Sequence, residues 1–307
     1  MIHLKYILFF QHLIAIINIM ASIIQFPDFM NNNLELKTGK LNKLFYFFFG
    51  VLIGFIHKNT NGKFFCYLMN IFFRKESKIF YKDGLYSKKI NQRIISYPNK
   101  RVDRVIINYK KHLNHFMETY CLDKLSFKDG DLILDCGANV GELFFGLSQK
   151  FENFRYIGFE PDPITFKCLE KNLTESNNKY YNIALGEKDG LADLFLDSEG
   201  GDSSLIYFGK AKKIQVETRA LDSFNFGKIK LLKLEAEGYE FEVLKGSKNS
   251  LKNIEFISVD YGPERGINNE TSIANVTNYL YENGFSIIEG SKYRQIGLFV
   301  NNEFLNV

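Results

Sequence analysis

The chain has 307 residues, enough to bury one large core or two modest ones, and its 46% hydrophobic content is that of a globular protein. A net charge of +4 over that length leaves no concentrated basic stripe, which excludes nucleic acid as the expected partner. The four cysteines (Cys66, Cys121, Cys136, Cys168) show neither a C-x-x-C pair nor metal-ligand spacing, so buried reduced thiols are expected and no metal site is predicted.

Ile7 to Ile24 is mostly apolar and about as long as a membrane segment, but Gln11, His12, Asn18 and Ser22 interrupt it. Leu44 to Ile56 is a second apolar run, too short to span a bilayer comfortably. Phe64 to Phe73 is a third, followed by Arg74 and Lys75. These runs predict short apolar helices with basic flanks. A helical cap on the core is the favoured reading, and peripheral membrane contact through residues 1–75 is the alternative. Lys82-Asp83-Gly84 predicts a turn. The basic stretch Lys88, Lys89, Arg93, Lys100, Arg101 and Arg104 is expected at a solvated surface. Val105 to Leu125 predicts a helix leading into the core, so residues 1–104 form a helical extension and 105–307 the main domain.

From Leu132 onward strands and helices alternate. Strands are predicted near 132–135, 156–160, 180–184, 191–196, 213–219, 229–235, 254–260, 285–289 and 295–300. Helices are predicted near 141–150, 164–173, 239–251 and 271–283. This alternation implies an α/β fold with a doubly wound, mostly parallel sheet. The last two strands are joined by a few residues around Gly290, which makes the final strand antiparallel.

Ligands of such sheets sit at the carboxyl ends of the strands. The first strand ends in Asp135-Cys136-Gly137-Ala138-Asn139-Val140-Gly141. The glycines permit close backbone approach, but the dinucleotide spacing would need glycine at Asn139 and Glu142. Asp-x-Gly-x-x-x-Gly is closer to an S-adenosylmethionine turn. Glu160 ends the next strand, 19 residues after Gly141, where a carboxylate can accept from ribose hydroxyls. The strand Lys230 to Leu234 runs into Glu235 and Glu237 before Gly238. Glu235 is expected in the site; Glu237 is either a site residue or a cap on the following helix. Lys233 is expected as an ion-pair partner. Ser203 and Ser204, in a Gly-rich loop, and Asp260, Glu264 and Arg265, after a buried strand, are candidate acceptor contacts, with plain structural turns as the competing reading. All five histidines (His3, His12, His57, His112, His115) precede the first strand of the sheet, so a histidine base is not expected.

Five motifs in order resemble the FkbM family of S-adenosylmethionine-dependent methyltransferases: Asp135 to Gly141, Phe159 to Pro163, Asn182 to Gly186, Thr218 to Asp222 and Lys233 to Glu240. The resemblance covers roughly 115–300. It implies a Rossmann-like class I methyltransferase fold and O-methylation of a hydroxyl on a sugar, polysaccharide or related natural product. It also implies that Asp135, Gly137, Ala138, Asn139 and Gly141 hold the methionine part of the cofactor, Glu160 the ribose, and Asn182 and Ala184 the adenine side. Glu235 and Glu237 are the catalytic candidates; the family usually carries Asp where this chain has Glu235. The expected partner is a small-molecule or glycan acceptor, and the expected location is cytoplasmic, with membrane association as an extension. Two rivals are a membrane-associated scaffold with a non-catalytic core and a nicotinamide-dependent oxidoreductase.

Overall fold

The computed structural model describes residues 40–73, 77–106, 108–174, 178–197, 203–209 and 212–305, with side chains from Phe48 onward. The apolar run Ile7 to Ile24, the Arg74-Lys75 flank and Gly200 to Asp202 lie outside the described residues. The chain forms two compact units. One takes the described residues up to Gln92 together with Val102–His112, and the other takes Arg93–Arg101 and everything from Leu113.

The first unit opens with helices α1 (Lys40–Asn59) and α2 (Gly62–Phe72), as their apolar runs predict. It is not helical throughout. Strands β1 (Ile79–Lys82) and β2 (Leu85–Ile90) pair antiparallel. Asp83 and Gly84 both have positive φ between them, as a two-residue Asp-Gly hairpin requires. Asn70 of α2 fixes the first strand, donating to Ile79 O at 2.7 Å and accepting from Ile79 N at 2.9 Å. Ile53, Ile56, Phe65, Met69, Ile79 and Tyr86 are buried in this unit. Lys88 departs from its solvated expectation: it is fully buried and donates to the carbonyls of Val105 and Ile106. Among the described residues no helix is long and apolar enough to cross a membrane.

The second unit holds β3 (Arg93–Tyr97) and α3 (Tyr109–Thr119), of which the part from Leu113 belongs here. The helix predicted over 105–125 stops at Thr119, and Cys121 follows with φ 57°. Then come β4 (Leu132–Cys136), α4 (Glu142–Leu147), β5 (Arg155–Phe159), α5 (Pro163–Asn172), β6 (Lys179–Tyr181), β7 (Ala184–Leu185), β8 (Gly190–Phe195), β9 (Lys213–Arg219), β10 (Ile229–Leu234), α6 (Glu240–Lys245), β11 (Ile254–Asp260), β12 (Pro263–Arg265), β13 (Glu270–Thr271), α7 (Ile273–Glu282), β14 (Phe285–Gly290) and β15 (Ile296–Asn301).

Seven of these strands form one sheet in the order β14-β15-β11-β10-β4-β5-β6. Neighbours among β11, β10, β4, β5 and β6 are parallel, while β15 runs antiparallel to both β11 and β14. The expected doubly wound sheet with an antiparallel final strand is therefore present. That strand lies inside the sheet, one place from its edge. Both faces are covered, which is why β4 is buried along its whole length and reads as a continuous apolar run up to Asp135. A smaller sheet, β7-β9-β8, and a β12-β13 ribbon complete the unit. All four cysteines are free and buried.

Candidate active site

The site begins with strand register. Asp135 of β4 lies opposite Gly158 of β5 and Lys233 of β10, and Lys233 lies opposite Ser258 of β11. Side chains in register on adjacent parallel strands share a face. The Lys233 ammonium accordingly meets Asp135 Oδ1 at 3.2 Å, and both side chains are 2% exposed. Tyr156 donates to the other Asp135 oxygen at 2.6 Å. The glycine at 158 leaves room for this ring, since a Cβ there would stand 3.2 Å from Tyr156 Cε1. Asp135 is thus an internal organiser of the strand tips, with 1% of its surface accessible.

Lys233 also reaches forward. It donates to Gly137 O at 2.9 Å and pairs with Glu235 Oε2 at 2.9 Å. One ammonium therefore ties the glycine turn to the carboxylate beyond β10. The contact is close in the backbone as well: Glu235 N donates to Cys136 O, and a Cβ on Gly137 would lie 2.1 Å from Glu235 O. Gly137 and Gly141 have φ of 73° and 94°, and Asn139 between them has 48°. Asn172 of α5 holds the turn from behind, donating to Val140 O and gripping Ser96 of β3 through both amide atoms.

Glu235 faces a second cation. Arg294, in the β14–β15 hairpin, lies 3.2 Å from Glu235 Oε1, 2.8 Å from Asp260 Oδ2 and 2.5 Å from Glu264 Oε1. Tyr120 lies with its ring 5.2 Å from the Lys233 ammonium, and its hydroxyl helps to hold Glu235 ionised. Its carbonyl accepts from Ser258 Oγ at 2.7 Å, so the register row also anchors this ring. Burial pushes the Glu235 carboxyl upward, but Lys233 and then Arg294 outweigh it and hold the group well below the carboxylate range. Asp260 behaves oppositely. Burial, only partly offset by Arg294 and reinforced by the neighbouring Glu235 and Glu264 charges, lifts it to about 7. The buried Tyr120 hydroxyl is pushed well up, by desolvation first and by the Glu235 charge next.

Glu160, at the tip of β5, accepts from Asn139 N at 2.9 Å and from Asp162 N at 3.0 Å. Burial raises it to about 7 despite these bonds. Asn182 donates to the carbonyls of Glu160 and Pro161, and Ala184 is buried in β7.

The other candidates are engaged elsewhere. Glu237 does not cap α6: the N-cap position is Tyr239, which makes no side-chain cap bond, and Glu240 at the first helical position turns back so that its Oε1 accepts from Ala236 N and Gly238 N of the preceding turn. Glu237 is half-buried with φ 50°, and its carbonyl accepts from Ser204 Oγ. Ser203 accepts from Asp197 N. Arg265 pairs bidentately with Glu242 and donates to Gly238 O. Asp260 and Glu264 thus join Glu235 around Arg294, whereas Ser203, Ser204 and Arg265 serve the surrounding backbone. Arg294 and Tyr120 were not anticipated. The signal for Arg294 lay in the topology: an antiparallel last strand starts at the carboxyl edge of its parallel neighbours, so the hairpin before it must reach the cleft. His115 is the one histidine of this unit, and its ring packs on Tyr293 at 4.4 Å.

Residues 135–287 match the methyltransferase FkbM domain. The chain is 27% identical over 154 residues to Methyltransferase 1 of Beauveria bassiana, a match covering 41% of this chain and 62% of that protein. It is 28% identical over 147 residues to the hexuronic acid methyltransferase AglP of Haloferax volcanii, covering 43% and 56%. Against the 2-O-methyltransferase NoeI of Sinorhizobium fredii the identity is 24% over 159 residues, covering 45% and 65%. The chain therefore spans about three fifths of the length of the curated relatives it matches.

Proposed function

Because residues 135–287 match the methyltransferase FkbM domain, we propose that this chain is a methyltransferase of that family and uses S-adenosylmethionine to methylate a hydroxyl oxygen of a sugar or related natural product. The observation that carries this reading is the convergence of Glu235, Asp260 and Glu264 on Arg294 directly beside the Gly137–Gly141 turn. Two relatives whose names specify a sugar acid and a 2-O position support the acceptor class.

The residues present fit the cofactor. Glu160 is a carboxylate at a strand tip, bonded to the turn itself, and suits ribose hydroxyls. Asn182 and Ala184 line the approach to the next strand, and the carboxylates around Lys233 and Arg294 suit a cationic sulfonium. S-adenosylmethionine, when bound, supplies a methyl group already activated for displacement.

What the chain supplies is position and a proton acceptor. A sugar hydroxyl keeps its proton until the new carbon–oxygen bond is nearly formed. The resulting oxonium is so acidic that a weakly basic carboxylate suffices to take the proton. Glu235, held ionised by Lys233 and Arg294, is that acceptor in our reading; Glu264, partly exposed, orients neighbouring hydroxyls, and Asp260, its side chain inaccessible, holds the Arg294 guanidinium in place. Glu237 remains a candidate at the rim.

Two variants separate cofactor from chemistry. Glu160→Ala is expected to weaken S-adenosylmethionine binding by about 10- to 100-fold in a calorimetric titration of the full chain. Glu235→Gln is expected to leave that affinity nearly intact and lower turnover roughly 10²–10⁴-fold. Undiminished turnover by Glu235→Gln would place the proton acceptor elsewhere. A folded chain that binds NAD and not S-adenosylmethionine would overturn the assignment.

A further inference from the structure

Among the described residues, the first unit carries an apolar surface outside its buried core. In α1 the buried residues Ile53 and Ile56 face inward, while Val51, Leu52 and Phe55 are exposed. In α2 Phe65, Cys66 and Met69 face inward, while Phe64, Tyr67 and Ile71 are exposed. Phe55, Phe64 and Tyr67 keep 64%, 59% and 64% of their surface in solvent. Phe64, Tyr67 and Ile71 are three and four residues apart along one strip of α2, and Val51 and Leu52 lie four and three residues before Phe55 on one side of α1. The strips approach a shared two-residue connection, flanked by the exposed Lys58 and Lys63. Isolated exposed apolar residues are ordinary, but large aromatic and aliphatic side chains grouped on two joined helices mark an interaction surface.

Charge identifies the partner. The chain has 35 acidic residues, yet none falls between Leu36 and Lys75, where Lys37, Lys40, Lys43, Lys58, Lys63, Arg74 and Lys75 are all basic. We propose that the α1–α2 hairpin lays its exposed apolar strips into the headgroup boundary of an anionic lipid bilayer, with the exposed Lys58 and Lys63 beside them against the lipid charges. Apolar anchoring alone would not require a rim of one sign. Anionic headgroups reward that rim and give reversible surface binding without a span. Through these two helices the contact is peripheral, since neither is long and apolar enough to cross a membrane.

The test uses the full-length protein, sedimented with phosphatidylcholine vesicles with and without phosphatidylserine. Binding is expected to depend on phosphatidylserine and to weaken as salt is raised. Phe55→Ser and Phe64→Ser are each expected to weaken it about tenfold, the worth of one buried aromatic side chain. Lys58→Glu with Lys63→Glu is expected to weaken binding at least about tenfold on anionic vesicles only. Unchanged thermal midpoints would show that these exposed substitutions leave the fold intact. Equal sedimentation with and without phosphatidylserine would overturn the proposal. So would full binding by a variant that combines Phe55→Ser with Phe64→Ser, which would hand the contact to residues 1–39. Self-association in solution that the same variant abolishes, with no vesicle binding, would make the face an interface between two copies and also overturn it.

Discussion

At 2% exposure, the Lys233 ammonium stays charged because two carboxylates and a backbone carbonyl surround it. Desolvation works against that charge, and Asp135 followed by Glu235 raises its affinity for the proton past the ordinary lysine value. The arrangement is mutual, since Asp135 has no route to solvent and depends on the same cation. Replacing one partner of a buried pair leaves the other uncompensated, which costs about 3–5 kcal/mol. Lys233→Met should therefore lower the stability of the second unit by about that amount in denaturant unfolding. Adding Asp135→Asn should recover part of the loss, because the orphaned charge is then gone. Lys233 was legible in the sequence as a polar residue alternating with apolar ones in a buried strand. The partner set was not, because choosing Asp135 requires the β4–β10 register.

The β14–β15 hairpin is the element that completes the acidic cluster. Arg294 spans three carboxylates from β11, β12 and the segment after β10, and it helps to keep Glu235 ionised. Arg294→Met should let the Glu235 proton affinity rise. The acidic limb of the pH–rate profile, which reports protonation of the group that must be charged, should then move to higher pH. Arg294→Lys should return the limb part of the way. A limb that stays in place in Arg294→Met would mean that Glu235 does not set it. Glu235 and Asp260 were readable from sequence, each closing an apolar run where a parallel strand must stop, and Glu264 in the turn that follows the second. Arg294 was not, because its place depends on which strand the last hairpin docks against, a non-local choice. Tyr120 was hidden for the same reason, since its anchor, Ser258, lies 138 residues away. In the first unit the opposite error occurred. The short aromatic-rich runs suggested helices throughout, and the Asp83-Gly84 signal for a hairpin was read only as a turn.

Over the whole molecule, burial has left several carboxyls holding protons that the unfolded chain would release. Glu160, Glu240 and Asp260 are all raised to about 7, desolvation being the largest cause in each. A group whose folded value is raised adds stability below its unfolded value and loses it as pH climbs through the folded one. Stability should accordingly fall between about pH 4.5 and 7, where the unfolded carboxyls ionise first. The depressed Glu235 acts only at lower pH, where its contribution is lost as the solution is acidified. Thermal midpoints should be higher at pH 6 than at pH 8, and Glu240→Gln should flatten the slope. The doubly wound sheet itself was legible almost strand by strand, because buried parallel strands leave unbroken apolar runs. The spatial order was not, and it has a kinetic consequence. Until β15 inserts beside β11, carrying β14 with it, the β11 edge is unpaired and Arg294 is absent from the carboxylates. Folding intermediates that lack this late, long-range insertion can already contain the glycine turn and Glu160. On refolding, competence to bind cofactor should therefore return before turnover, and the interval between them measures the time the last hairpin takes to dock.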